Sequence, residues 1–558
     1  MARFIVLGLD LFNIAFRRGR FDIHDSQVAS RLEAMVAVIG NTLYSHDTSV
    51  VVQGLKATAL IIKCPLESIK ESLPVFVRQT LEIVRQVGNT ESEVVQTAFR
   101  SLAIIIRDCA TSQIKEKDLV YLLEVLTPDL EVPNRQTTLF GLLRAIVSRR
   151  FVVAEIYDIM EKVAEIMVTN QAGQVRELCR AVLLQFLLDY PQGKGRLKHQ
   201  MTFLARNLSY KFETGRLSVM ELLNATFTKF DTALLCEYAD LFFVALVMVT
   251  ANDESSKCRE MAAELIKLLF VHLDVEHRNH FVTHLHSWSS QKAQLQLSRV
   301  SAHVYGIVVD TLQQGITPYL PGILEDMNAV IRRSAIEIQE LEASTEGQYS
   351  MDIEVEWQLP YHAMNVIHKL LRVHPELTND TAKVDWLAIE SHLLFCHAWV
   401  RNVSSRLVGL FYNMVPPGLP DPTLPDDSLV SLRGLIKVAQ SSCLQLKSDT
   451  LDTTLSLQVV KNLFYIGKCF CMVSNAKPSL DAIVSDLDGP ESRFVLESQD
   501  SLENILNNPL PWLFSKLSYQ ARSAWLARRN RSIGKVRDSY LYWVVRLTRN
   551  RTTGQSSH

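Results

Sequence analysis

The sequence predicts an all-α protein, a HEAT- or armadillo-like solenoid of stacked antiparallel helix pairs. Three observations predict it. Apolar residues recur at helical spacing almost everywhere, period-two alternation is hard to find, and one helical motif returns at intervals of 44, 44, 36 and 44 residues. The chain has 558 residues, 47% of them hydrophobic and 21% charged, so it has ample apolar material to bury. A repeat array needs no single central core, because each repeat buries its apolar face against its neighbours.

The helices can be taken in order. In QVRELCRAVLLQFLLDY, Val175, Leu178, Cys179, Val182, Leu183, Phe186 and Leu187 form one stripe, while Arg176, Glu177, Arg180 and Asp189 take other faces. The preceding EIYDIMEKVAEIM carries the same stripe at Ile156, Ile159, Met160, Val163, Ile166 and Met167. The repeating motif is an apolar residue, a polar or basic one, a small one, then a long apolar run. It occurs at Leu55-Lys56-Ala57, Phe99-Arg100-Ser101, Leu143-Arg144-Ala145, Cys179-Arg180-Ala181 and Leu223-Asn224-Ala225, with a looser copy in KCREMAAELIKLLF (257–270). The small residue lets stacked helices approach closely, and the apolar run buries against the next pair. The spans 362–375, 399–415 and 455–470 read as further second helices at wider spacing.

Three stretches interrupt the array. Residues 340–357 are acidic and polar, an inserted loop. VPPGLPDPTLPDDS (415–428) holds five of the eighteen prolines and cannot be helical. Residues 486–504 are acidic and read as flexible. The expected organisation is therefore a repeat array over 1–415, a Pro-rich linker or loop at 416–428, further helical repeats over 429–485, the acidic segment 486–504 and a basic helical tail over 505–558.

Composition narrows the function classes. A net charge of −2 excludes polyanion binding by bulk electrostatics. Nine scattered cysteines in mostly apolar helical settings favour reduced core thiols in a cytosolic or nuclear compartment. The opening MARFIVLGLDLFNIAF is broken by Asp10 and lacks a cleavage site, so no secretion signal is read. LFFVALVMV (241–249) falls short of the roughly 20 residues that cross a bilayer, so no membrane partner is expected.

The basic clusters remain. DYPQGKGRLK (189–198) invites a phosphate-loop reading, but Gly193-Lys194-Gly195-Arg196 follows a helix rather than a strand and lacks the Ser/Thr that holds magnesium. It is read as a turn: Pro191 stops one helix and the glycines permit positive backbone angles. Lys194, Arg196 and Lys198 still stand at the next helix's N-terminus, where amides point outward, and are candidate contacts for RNA or an acidic partner. Arg149 and Arg150 in SRRF (148–151) are further candidates, as is FRRGRF (16–21); both stretches also suit helix-dipole partners at helix ends. The strongest electrostatic anomaly is the C-terminus. From Trp512 to His558 the charge is +9, leaving −11 on the remainder. There Arg522, Arg528, Arg529, Arg531 and Lys535 interleave with Tyr519, Trp525, Tyr540, Tyr542 and Trp543, a pattern that neutralises phosphates and stacks on unpaired bases.

No catalytic constellation appears, and neither a cofactor motif nor a small-molecule substrate site is read. His280 and His284 sit at i and i+4, a spacing that binds zinc, yet no CxxC, HExxH or clear third ligand accompanies them, so surface or capping roles are expected.

Three stretches carry a resemblance: FGLLRAIVSRRFVVAEIYDIMEKVAEI (140–166), residues 174–223 with the DYPQGKGR turn, and DLFFVALVMVTANDES (240–255). They resemble the down-regulated-in-metastasis family, whose members form component 20 of the small-subunit processome. The likeness runs most clearly over about residues 40–310 and collinearly to about 530, with Met1 inside what would be the array of a longer protein. The resemblance implies a non-enzymatic nucleolar scaffold, required for pre-rRNA processing and small-subunit biogenesis. Its implied partners are pre-rRNA, guide small nucleolar RNA and other processome proteins. SYQARSAWLARRNRS fits the family's basic tail; beyond Ser532 the sequence departs from it. From the residues alone, a nuclear transport receptor or a phosphatase-type scaffold are the competing readings of the same architecture.

Overall fold

The computed structural model describes residues 1–470 except 24, 110–113, 133–134, 292, 345–354, 416–427 and 446–452. Most of the acidic insert, the Pro-rich stretch, the acidic segment 486–504 and the basic tail 505–558 thus lie outside the described residues. Among those described every regular element is helical, and they divide into two compact units, Met1–Asp274 and Val275–His558.

Unit 1 opens with α1 (Ala2–Arg17) and continues as six pairs: α2 (Ser26–Thr42) with α3 (Thr48–Ile61), α4 (Glu67–Val87) with α5 (Glu93–Asp108), α6 (Glu116–Leu126) with α7 (Gln136–Ser148), α8 (Ala154–Thr169) with α9 (Gly173–Asp189), α10 (Lys194–Asn207) with α11 (Glu213–Lys229), and α12 (Thr232–Asn252) with α13 (Ser256–His272). The second helices of the pairs stack in one continuous row, α1 to α3 to α5 and so on to α13, and the first helices cover them. This is a HEAT-like stack of antiparallel pairs.

The repeating motif falls on the second helices, and the structure gives its chemistry. Leu55, Phe99, Leu143, Cys179 and Leu223 are each 0% exposed, which makes this the register position of the core. The polar residue that follows reaches the next second helix. Lys56 lies 3.6 Å from Glu93, Arg100 donates to Thr138 (3.2 Å), and Arg180 pairs with Glu221 (2.8 Å) and donates to Ser218 (3.0 Å). The motif therefore couples neighbouring repeats through its polar position as well as through its apolar ones.

Unit 2 repeats the plan with α14 (Val275–Ser290) and α15 (Leu295–Leu312), α16 (Leu320–Ser344) and α17 (Gln358–Val373), the short α18 (Trp386–Glu390) and α19 (Ala398–Met414), then α20 (Leu432–Gln445) and α21 (Thr453–Phe470). Its row of second helices is α15, α17, α19 and α21. The spans 362–375, 399–415 and 455–470 fall on the last three.

Two expectations need correction. The run 241–249 belongs to α12, whose 21 residues are long and apolar enough to cross a membrane by length and composition alone. In this fold Leu235, Ala239, Phe242, Phe243, Leu246 and Val247 of α12 are buried and the helix packs along α13, as a core helix does. Among the described residues six cysteines are free thiols, and Cys64, Cys179 and Cys258 are buried, with burial pushing Cys179 up to about 12. Cys109 and Cys236 are only half-buried and Cys396 is exposed, so the core reading holds for part of the set.

Candidate nucleic-acid interface

The DYPQGKGR turn joins α9 to α10. After Asp189 ends α9, Tyr190 is buried (4% exposed) and fixes the chain from below. Its hydroxyl donates to the Phe151 carbonyl (2.9 Å) and accepts the Val153 N–H (3.2 Å). Burial pushes this phenol up to about 12, so it stays a neutral donor. Tyr157 of α8 packs against both Phe186 and Tyr190 and donates to the Pro191 carbonyl (2.6 Å). Arg196 then lays its guanidinium 3.8 Å over the Tyr157 ring. Three aromatic side chains and one cation thus clamp the turn onto the preceding repeat.

The clamp has a consequence that sequence spacing hides. Phe151 and Val153 directly follow Arg149 and Arg150, so the Tyr190 bonds draw the SRRF stretch to the same end of the stack as the glycine turn. Arg150 adopts φ 54°, a left-handed conformation that costs a non-glycine residue about 1 kcal/mol, held here by the bonds just beyond it. Its guanidinium approaches Asp189 at 3.7 Å. Arg149 is half-buried, while Arg150, Arg196 and Lys198 are exposed. Lys194 opens α10; its side chain lies outside the described part. Five residues proposed from two separate stretches therefore share one edge of unit 1.

The glycines do not act as expected. Gly193 is the N-cap of α10 in an extended conformation (φ −71°), and Gly195 lies within the helix. Neither uses a positive φ, because the reversal is made by the Tyr190–Gln192 segment ahead of them. A Cβ at either would meet nothing within 4 Å. What Gly193 does supply is a helix start without a side-chain cap, so the first amides of α10 keep their donor capacity.

Beside the turn is a cleft of about 290 Å³ lined by Tyr157, Asp158, Glu161, Gln192, Arg196 and His199, among others. Glu161 lies 3.8 Å from His199. Asp158 and Glu161 on the cleft wall oppose a phosphate inside it, whereas Arg150, Lys198 and the start of α10 lie at its outer edge. The turn runs from one helix, α9, into another, α10, as the sequence implied. Tyr157, Tyr190, Glu161 and His199 were not picked out from the sequence; the Tyr-Pro step before the glycines was the available signal.

Elsewhere, the Nε2 atoms of His280 and His284 stand 3.0 Å apart, the distance of a hydrogen bond between one ring N–H and one lone pair. Arg522, Arg528, Arg529, Arg531 and Lys535 lie outside the described residues.

No family model matches the chain. Among curated proteins it is 33% identical over 474 residues to U3 small nucleolar RNA-associated protein 20 of Schizosaccharomyces pombe, covering 84% of this chain and 18% of that protein. It is 32% identical over 382 residues to the Saccharomyces cerevisiae protein of the same name, covering 68% of this chain and 15% of that protein. The chain thus spans less than a fifth of the length of the curated relatives it matches. Among solved structures, importin beta superposes at a TM-score of 0.37 and 10% identity, over 92% of this chain and 62% of that one. An engineered protein superposes at 0.29 and 14% identity, over 87% and 98%. Both scores are too low to bear on function. Identity sustained over 84% of the chain does bear on descent: over the part it spans, the chain belongs to the family of U3 small nucleolar RNA-associated protein 20.

Proposed function

We propose that this chain is a non-catalytic scaffold of the nucleolar small-subunit processome, contributing to pre-rRNA processing and small ribosomal subunit biogenesis. The observation that carries the reading is 33% identity over 84% of the chain to a protein named for association with U3 small nucleolar RNA. Two stacks of helix pairs supply extended surface, which suits holding partners in place. Within this reading, other processome proteins lie along the helix rows, and pre-rRNA or guide small nucleolar RNA meets the edge formed by Arg149, Arg150, Lys194, Arg196 and Lys198. The tail residues Arg522, Arg528, Arg529, Arg531 and Lys535 give a second electrostatic anchor.

The test is sedimentation of the tagged chain from nuclear extract. Co-migration with pre-ribosomal particles, lost on ribonuclease treatment, is the expected result; a free pool alone overturns the reading. RNA binding across a salt series then separates the two anchors. Each phosphate contact removed by truncation to residues 1–511, or by R150E with K198E, lowers the salt slope by about 0.7 for single-stranded RNA.

A further inference from the structure

In unit 2 the residues just before α17 and α19 are both rings. Trp357 is the N-cap of α17 and His397 the N-cap of α19, and they lie face to face, 3.8 Å between centroids and 3° from parallel. Trp399 stands edge-on to this pair, 5.3 Å from Trp357 at 83° and 5.6 Å from His397 at 86°. Tyr361, one turn into α17, lies 5.7 Å from Trp399. The rings continue sideways, from Tyr361 to His362 (5.4 Å) and from His362 to His303 on α15 (5.0 Å). Six rings from three repeats therefore form one connected surface. Trp399 is nevertheless 57% exposed, although a folded chain ordinarily buries a tryptophan set among other rings.

Cations border the rings, two of them in ion pairs. Arg299 is held by Glu356 (2.6 Å), and Lys369 by Asp310 (2.7 Å) and the Gly306 carbonyl (2.9 Å). Arg406 is exposed on α19. His362 is depressed to about 3 and His368 to about 4, by burial first, and then by His303, Arg299 and Lys369 for the former and by Arg406, Arg372 and Lys369 for the latter. Of these cations Arg372, like Arg406, is exposed. The first amides of α17 are taken by the Glu356 carboxylate (3.0 and 3.1 Å) and that of Trp399 by the His397 ring (3.3 Å), so the side chains, not the helix ends, supply the positive charge.

We propose that the surface formed by Trp357, Tyr361, His397 and Trp399 stacks unpaired bases of single-stranded RNA, with Arg299, Lys369 and Arg406 facing the backbone phosphates. Flat rings alone would suit a proline-rich peptide, and cations alone an acidic one. Rings interleaved with cations match a polyanion that carries flat faces. The parallel Trp357–His397 pair already shows the stacking distance a base would take on the open Trp399 ring. This inference rests on the reading that the chain meets RNA, and it places a base-binding site in unit 2 in addition to the basic edge of unit 1.

The experiment titrates the full chain with a fluorescein-labelled oligouridine of about 12 nucleotides, and compares W399A, W399F and an abasic oligomer of equal charge. Stacking on one ring is lost in W399A, so its affinity falls about fivefold or more while W399F keeps most of it. The salt slope stays unchanged because no phosphate contact is removed, and the abasic oligomer binds wild type at least as weakly as the uridine oligomer binds W399A. A 4-thiouridine oligomer is expected to crosslink within residues 357–399, which reads this site even if the tail also binds. Trp399 is largely exposed, and an unchanged circular-dichroism melt for W399A confirms that the variant folds. Crosslinks elsewhere only, or equal binding by the abasic oligomer, overturn the stacking site and leave the RNA reading standing. A chain that binds no RNA overturns both.

Discussion

Four residues into several second helices, a donor reaches back to the loop that joins it to its partner. In unit 1, Gln96 donates to the Thr90 carbonyl (2.9 Å) and Arg176 to those of Asn170 and Gln171 (2.9 and 2.8 Å). Arg216 does the same to Tyr210 and Lys211 (2.9 and 3.1 Å), and Arg259 to Asp253 and Glu254 (2.6 and 3.0 Å). In unit 2, Arg401 closes onto Phe395 and Cys396 (2.7 and 2.8 Å), but the same position of α17 is Tyr361, a member of the ring surface. Loop closure by a guanidinium satisfies two carbonyls that would otherwise need water. In α17 the same position belongs instead to the aromatic surface. The comparison teaches that these repeats separate into positions that hold the stack and positions free to serve a partner.

The largest effect that can break this comparison is at Arg216. Besides its two carbonyls it makes a bidentate pair with Asp253 (2.7 and 2.9 Å), whose side chain is only 6% exposed. Arg216→Ala leaves that carboxylate in place without its cation, which costs about 3 kcal/mol. Hydrogen exchange should show that loss in α11 through α13. Tyr361→Ala, at the equivalent position of α17, should cost about 1 kcal/mol, since the ring is only half-buried and no buried charge is left behind. Equal losses at the two sites would erase the distinction between holding and serving positions.

A smaller effect is expected at Tyr190, the holding residue of the basic edge. Tyr190→Phe removes the bonds to Phe151 and Val153 and leaves a buried N–H unpaired, costing about 1–2 kcal/mol in the α8–α10 region. RNA affinity should weaken with it, because Arg149 and Arg150 lose their fixed position beside the turn. Full affinity in a correctly folded Tyr190→Phe chain would show that the two basic stretches act independently.

Much of this was legible in the sequence and some was not, for physical reasons. The apolar stripes and the register of Leu55, Phe99, Leu143, Cys179 and Leu223 follow from a 3.6-residue period, which is local. So the second helices were found, down to the polar residue beside each core position. The loop-closing donors were also local, six residues from their acceptors, yet they carry no apolar pattern and passed unnoticed. The clamp at Tyr157 and Tyr190 joins residues 33 positions apart, and the ring surface of unit 2 joins three repeats across almost a hundred residues. Nothing in spacing alone brings those together; stacking does. The glycines of the turn misled for the opposite reason, since their conformational freedom is real but goes unused at Gly193 and Gly195.

Acid should distinguish the two regions further. His362 and His368 sit at about 3 and about 4 in the folded chain, against about 6.5 when unfolded. Between those values the unfolded chain binds protons that the folded chain refuses, so stability is full above about pH 6.5 and falls as pH drops through that range. Buried Asp326, raised by desolvation, acts in the opposite sense at lower pH, so the window to examine is pH 7 to 5.5. Faster exchange in α15 through α19 over that window, relative to α8 through α11, is the expected result. His362→Gln should reduce the difference.

The smallest effect belongs to Arg196, and it decides what kind of residue sits at the turn. Its guanidinium is stacked on Tyr157 at 3.8 Å while the side chain as a whole remains exposed. As a cation over an aromatic face near water it contributes about 0.5–1 kcal/mol to the turn. If that were its whole role, Arg196→Lys would recover part of the stability and RNA affinity would follow stability. If Arg196 also meets phosphate, Arg196→Ala should lower the salt slope by about 0.7, because one contact is lost whatever the stability change. Lys198, exposed on the same helix and without a stacking partner among the described residues, gives the reference: Lys198→Ala should lower the slope equally and leave the melt unmoved. A slope change at Lys198 alone would assign Arg196 to the residues that hold the stack, alongside Arg216, and leave the phosphate edge to Arg149, Arg150, Lys194 and Lys198.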